Sequence, residues 1–121
     1  MALGSDDIKR YRVDSREHAL EEIEVIGAYI ARRNPLNAER YTSDILDAID
    51  GLASFPNAHP ASEELPGLGI RYTILGSHRI YFRVLASRRT VDVFCVVDAR
   101  RSARVIRARL RSDFEQDGAD A

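Results

Sequence analysis

The sequence predicts an α+β fold: an antiparallel β-sheet with an N-terminal α-helical hairpin packed on one face and a short C-terminal helix. Three features of the chain point to it. Apolar residues recur at three- and four-residue spacing through the first half, they alternate with polar ones from Ile70 onward, and helical spacing returns after Asp98. Between the first two regimes, the stretch 55–69 gathers Pro56, Pro60, Pro66, Gly67 and Gly69, the composition of an irregular loop.

In chain order, Tyr11-Arg12-Val13 is a short alternating piece suited to an edge strand. Asp14 or Ser15 follows as a helix cap, its side-chain oxygen able to accept from free backbone N–H groups. Leu20, Ile23, Gly27 and Ile30 then form one stripe of an amphipathic helix. Asn34-Pro35 should end it, because proline disfavours helical geometry in the residue before it. A second helix from near Asn37 carries Ala38, Tyr41, Ile45, Ile49 and Leu52 on one side and stops before Pro56; the short link makes the pair an antiparallel hairpin.

Beyond the loop, Gly76-Ser77 is a tight turn between two strands. Ile70, Tyr72, Ile74, Ile80, Phe82 and Val84 are expected to share the face that meets the hairpin. Arg71, Thr73, Arg79, Tyr81 and Arg83 then fall on the opposite face, left uncovered by it. The run Val91 to Val97 is apolar on both parities, the mark of a central strand. Ala103, Ile106 and Leu110 recur at helical spacing among arginines, a terminal helix with a narrow apolar side, and the chain from Glu115 is expected to fray.

A length of 121 residues suits one domain, 1–121, with its core at about 11–114 and flexible tails at both ends. Hydrophobic residues at 45% and charged residues at 31% exclude a disordered, charge-dominated chain. No apolar run reaches the length needed to cross a bilayer and the start, Met1 to Arg10, is polar, so a cytoplasmic protein without membrane attachment is expected. One cysteine excludes an internal disulfide, and three scattered histidines offer no metal cluster; no cofactor and no metal are expected.

The net charge of −1 gives no reason to expect sequence-specific nucleic-acid binding. Lys9 is the only lysine among 18 basic residues, and many of the arginines follow Arg71. Arginine clamps carboxylates and phosphates through a planar fork and keeps its proton, which suits recognition of an acidic partner; a GC-rich genome would give the same bias without any function.

The order of elements, together with several local words, resembles the ParE/RelE toxin superfamily. The words are Tyr11-Arg12-Val13, Ala28-Tyr29-Ile30-Ala31 with Asn34-Pro35, Leu52 through Pro56, Gly69-Ile70-Arg71, Gly76 through Val84, and Val96-Val97-Asp98-Ala99-Arg100-Arg101. The resemblance covers about residues 11–104 and rests on the order and spacing of the words. It implies the toxin of a type II toxin–antitoxin module, held inactive by a cognate ParD-like antitoxin in a hetero-oligomer. It also implies one of two activities: inhibition of DNA gyrase in the ParE branch, or ribosome-dependent messenger-RNA cleavage in the RelE branch.

RNA cleavage needs a base, cations around the crowded phosphate and a proton donor for the leaving oxygen. In a RelE-like reading, Arg71, Arg83 and Arg100 would serve as the catalytic cations. No lysine follows Lys9, Ile106 stands where relatives carry a tyrosine on the last helix, and no tyrosine follows Tyr81. The ParE-like reading is therefore preferred: a binding protein, not an enzyme, with an inactive interaction module as a further alternative. Its target- and antitoxin-binding candidates are Arg71, Arg79, Tyr81, Arg83, Arg100, Arg101, Arg104 and Arg107. Where many relatives have a histidine before Gly-Arg-Arg, this chain has Asp98-Ala99-Arg100-Arg101.

Plainer roles stand beside these. Arg71, Arg79 and Arg83 form either a phosphate cradle or ion pairs with Asp92, Glu63 and Glu64, and Arg100-Arg101 is either a contact surface or a solvated helix entry. His78 reads as a turn residue, His18 and His59 as surface residues, Cys95 as a small core side chain, and Tyr29 and Tyr41 as helix-stripe contacts.

Overall fold

The computed structural model describes residues 10–119. Lys9 and the polar start lie outside the described residues, as does the end of the C-terminal tail. Strand β1 (Arg12–Ser15) leads into helices α1 (Glu17–Ala31) and α2 (Pro35–Asp50), then β2 (Ile70–Leu75), β3 (His78–Leu85), β4 (Thr90–Asp98) and helix α3 (Ala103–Ala119). The four strands form one sheet in the order β1-β4-β3-β2. β2, β3 and β4 are antiparallel neighbours, but β1 runs parallel to β4, so the sheet is mixed and not purely antiparallel as expected. The helical hairpin between β1 and the later strands supplies the long connection that a parallel pair requires.

Asn34 caps α2, its side chain accepting from the Asn37 N–H at 3.0 Å, and Pro35 occupies the first turn, where its missing donor costs nothing. The cap expected at Asp14 or Ser15 is absent, because both residues belong to β1 and the Arg16 N–H still bonds to the Val93 carbonyl; α1 starts without a side-chain cap. On α1 the buried positions are Ala19 and Ile23, with Ile26 packed beside them, while Leu20 is exposed. Gly27 faces α2: a Cβ there would lie 2.8 Å from the Thr42 methyl, so the glycine lets the helices approach.

The hairpin covers one sheet face, where Ala19, Ile23, Ile45, Ile49 and Leu52 meet Ile80, Phe82, Val91, Val93 and Val96. Only part of the expected face is there. Because the Gly76-Ser77 turn pairs Leu75 with His78, even-numbered residues of β2 lie opposite odd-numbered residues of β3: Ile70 faces Arg83, Tyr72 faces Tyr81, and Arg71 faces Phe82. Ile70 and Tyr72 thus lie on the far face, and Ile74 is exposed.

That far face is covered as well. α3 is 17 residues long, not short, and lays Ile106 and Leu110 over Ile70, Tyr81, Phe94 and Cys95. Each large side chain buried there contributes about 1.5–3 kcal/mol. A register shift between Tyr81 and Phe82 inserts one extra residue in β4, so that Phe94 and Cys95 both belong to this second core. β4, buried along most of its length, is the central strand its composition predicted.

One side chain ties the hairpin to the β2–β3 turn. The Tyr41 hydroxyl lies 2.7 Å from His78 Nδ1, donates to the Leu75 carbonyl at 3.1 Å and accepts from the Ser77 N–H at 3.2 Å. Gly76 has φ +58°, and a Cβ there would sit 2.6 Å from the same hydroxyl. Tyr41→Phe should therefore lower the unfolding free energy by roughly 1–3 kcal/mol, and Gly76→Ala by more, both read from urea denaturation. Burial lowers the His78 pKa; the nearby Arg100 acts in the same direction and Asp98 opposes it. The folded state thus favours neutral His78, a contribution fully present above the unfolded histidine value and lost as pH falls through the lowered one. The urea midpoint should drop as pH falls below the ordinary histidine range, and His78→Gln should flatten that drop.

Candidate functional site

The arginines read as one cradle separate in the fold. Arg71 is on the hairpin face, where it donates to the His59 carbonyl; Arg79 and Arg83 are on the α3 face. The cross-strand register divides them, and each is engaged within the chain.

Arg79 Nη1 donates to Glu64 Oε2 and to the Tyr81 hydroxyl, both at 3.1 Å, and Tyr81 donates to Glu64 Oε1 at 3.1 Å. The Arg79 guanidinium also stacks 4.7 Å above the Tyr72 ring centre. Hydrogen bonds from its own backbone, Tyr81 and Ser62, with the Arg79 charge, outweigh burial and hold the Glu64 pKa below the usual carboxylate range. Burial pushes the Tyr81 phenol up to about 12 against the Arg79 hydrogen bond. Tyr81 is fully buried and offers no contact surface. Arg83 lies 3.7 Å from Asp92, which Arg16 also clamps through Nε and Nη2 at 3.2 and 2.8 Å. The ion-pair reading thus holds for Arg79 and Arg83, with Glu64 and Asp92 as partners, and the shared cradle is not formed.

The remaining candidates gather at the end of β4 and the start of α3. Arg100 is 81% exposed along its side chain and folds back on Asp98, with Nε–Oδ1 at 3.0 Å and Nη2–Oδ2 at 2.7 Å. That pairing, with a backbone bond from Arg100, drives the Asp98 pKa far down. Arg101 and Arg104 are exposed; Arg107 is exposed too and donates to the Glu64 carbonyl at 2.9 Å.

Beside them runs a groove of about 390 Å³ between α1 and α3, across the end of β4. Val25 and Ile26 form one wall, Val105 and Ile106 the other, and Val96 and Val97 the floor, with Arg101 at the rim. Glu22 crosses it: Oε1 accepts from the Val96 N–H at 2.9 Å and Oε2 meets Arg109 at 2.6 Å. Sequence reasoning missed Glu22, Val25 and Val105. Tyr29, expected as a helix-stripe contact, is instead 70% exposed, as is Val25 four residues before it at 68%, so the two share a face of α1 away from its buried side. Cys95 is buried, and burial raises its thiol pKa well above the ordinary value, so it is an inert core side chain. Among the described residues no helix is long and apolar enough to cross a membrane.

Residues 13–103 match the family model of the ParE toxin of type II toxin–antitoxin systems, parDE. The chain belongs to this family. No curated protein matches the sequence significantly. Among solved structures, the ParE-family chain is similar to a chain of the chromosomal ParDE system of P. aeruginosa, with TM-score 0.63 and 16% identity over 74% of this chain and 97% of that one. It is also similar to a doubly substituted E. coli RelE toxin in the free state, with TM-score 0.54 and 19% identity over 75% and 85%. A third is the RelBE2 toxin–antitoxin complex of Mycobacterium tuberculosis, with TM-score 0.54 and 17% identity over 74% and 91%. At these identities the structures share the fold of this ParE-family toxin.

Replacing Glu64 with Ala strips Arg79 and Tyr81 of their common acceptor and should cost roughly 1–3 kcal/mol in urea unfolding. Arg101→Ala, at an exposed site, should stay within about 0.5 kcal/mol of the parent.

Proposed function

We propose that this ParE-family toxin is neutralised by a cognate ParD-like antitoxin and, when released, inhibits DNA gyrase by binding it. The observation that carries the reading is the distribution of guanidinium groups. The three cations that a RelE-like cleavage site would draw on, Arg71, Arg83 and Arg100, lie on the hairpin face, on the α3 face and at the end of β4. They do not converge on a single phosphate.

Proton-transfer groups are also wanting for cleavage. The chain has no lysine after Lys9 and no tyrosine after Tyr81, and arginine is too weak an acid to shuttle protons near neutrality. Arg100, Arg101, Arg104 and Arg107 instead form an exposed basic ridge at the start of α3, suited to an acidic protein surface. An antitoxin partner accords with the ParDE system and the RelBE2 toxin–antitoxin complex among the structural relatives.

Purified toxin should inhibit gyrase supercoiling and leave ribosome-bound messenger RNA intact; codon-positioned cleavage in a ribosome assay would overturn the reading. Reversing the charge at Arg101 and Arg104 together should raise the concentration for half-inhibition at least tenfold, about 1.4 kcal/mol of binding. Arg71→Ala should leave it unchanged per folded molecule.

A further inference from the structure

α1 buries Ala19 and Ile23 against the sheet, while Val25 and Tyr29 stand one turn apart on its solvated side. A solvated helix face is normally polar, so two large side chains left in water there are apolar area that the fold itself does not use. Cations stand next to them. The Arg32 guanidinium lies 5.9 Å from the Tyr29 ring centre, and Arg100 is within electrostatic reach of the same residue. Val25 in turn lines one cleft with Arg101 and Val105. The end of α1 and the start of α3 thus form one surface with an aromatic ring, two valines and several guanidinium groups.

Toward β4 and α3 the carboxylates are already paired, Asp98 with Arg100 and Glu22 with Arg109. Arg32, Arg101 and Arg104 are exposed and have no carboxylate partner among the described residues. Arg100 closes its fork on Asp98 through two hydrogen bonds, so it loses little freedom when a partner arrives. Tyrosine and arginine are the residue types that dominate interface energetics, and unpaired guanidinium groups select a partner rich in carboxylates. A protein surface fits better than a nucleic acid. Val25 and Val105 call for an apolar side chain where a polyanion would bring phosphates, and a net charge of −1 supplies no long-range attraction for a polyanion.

We propose that Tyr29, with Val25, is the apolar anchor of the target contact, seated in an apolar depression of an acidic protein surface with Arg32, Arg101 and Arg104 as its cationic rim. This anchor rests on the reading that gyrase is the target, and it adds the outer face of α1, which the basic ridge on α3 does not include. The test uses the full chain and purified gyrase, with half-inhibition of supercoiling and calorimetric binding as readouts. Tyr29→Ala should raise the concentration for half-inhibition by roughly tenfold, with circular dichroism unchanged. Tyr29→Phe should stay within about threefold of the parent, because the ring and not the hydroxyl carries the contact. Arg32→Glu should weaken binding more at low salt than at high salt. Phe55→Asn, at an exposed site beyond the far end of α2, should inhibit like the parent. A Tyr29→Ala variant that binds and inhibits like the wild type, or a wild type that binds duplex DNA alone as tightly as gyrase, would overturn the anchor while leaving gyrase inhibition intact. A wild-type toxin that neither binds nor inhibits gyrase would overturn both.

Discussion

The structure depends on β4 being buried on both faces. A strand enclosed in this way needs an apolar cover on each side, and the chain supplies the α1–α2 hairpin for one and α3 for the other. The extra residue in β4 adjusts its two faces to these unequal covers, directing Phe94 and Cys95 together toward α3. A sheet covered by the hairpin alone would leave Ile70, Tyr81 and Phe94 in water, a cost of several kcal/mol. The C-terminal helix is thus part of the core and not an appendage.

The double covering reassigns the arginines. A row of guanidinium groups in the sequence invites the picture of a cationic sheet, yet the fold places acidic partners against those nearest the core: Glu64 for Arg79, Asp92 for Arg16 and Arg83, Glu22 for Arg109. Half-buried charges are stable only when paired, so these cations hold elements together. Arg16 joins the start of α1 to β4 and reaches the Asp113 carbonyl on α3 at 2.9 Å. Arg101 and Arg104, at the entry to α3, are exposed and stand outside these pairs.

The same geometry leaves one edge incomplete. β1 is too short to pair with all of β4, and Glu22 occupies one of the resulting vacant acceptor positions. A side chain in that role saturates one N–H without continuing the ladder. The apolar groove, the open edge and the basic ridge therefore meet at one end of the molecule.

The sequence alone determined the two-helix hairpin and its boundary at Asn34-Pro35, the stripe Ala38, Ile45, Ile49 and Leu52, the central character of Val91 to Val97, and the family words along the chain. These signals are local: periodicity, a proline and an unbroken apolar run each act through neighbours a few residues away. Only the tertiary structure decided which face Ile70 and Arg71 occupy, that β1 runs parallel to β4, that α3 covers the second face, and which arginines remain free for a partner. The turn at Gly76-Ser77 set the relative parity of β2 and β3, and one step of register exchanges every side chain between faces. The remaining decisions join residues far apart in the chain, such as Glu22 with Val96 and Arg16 with Asp92, and periodicity carries no information about which distant charges will meet.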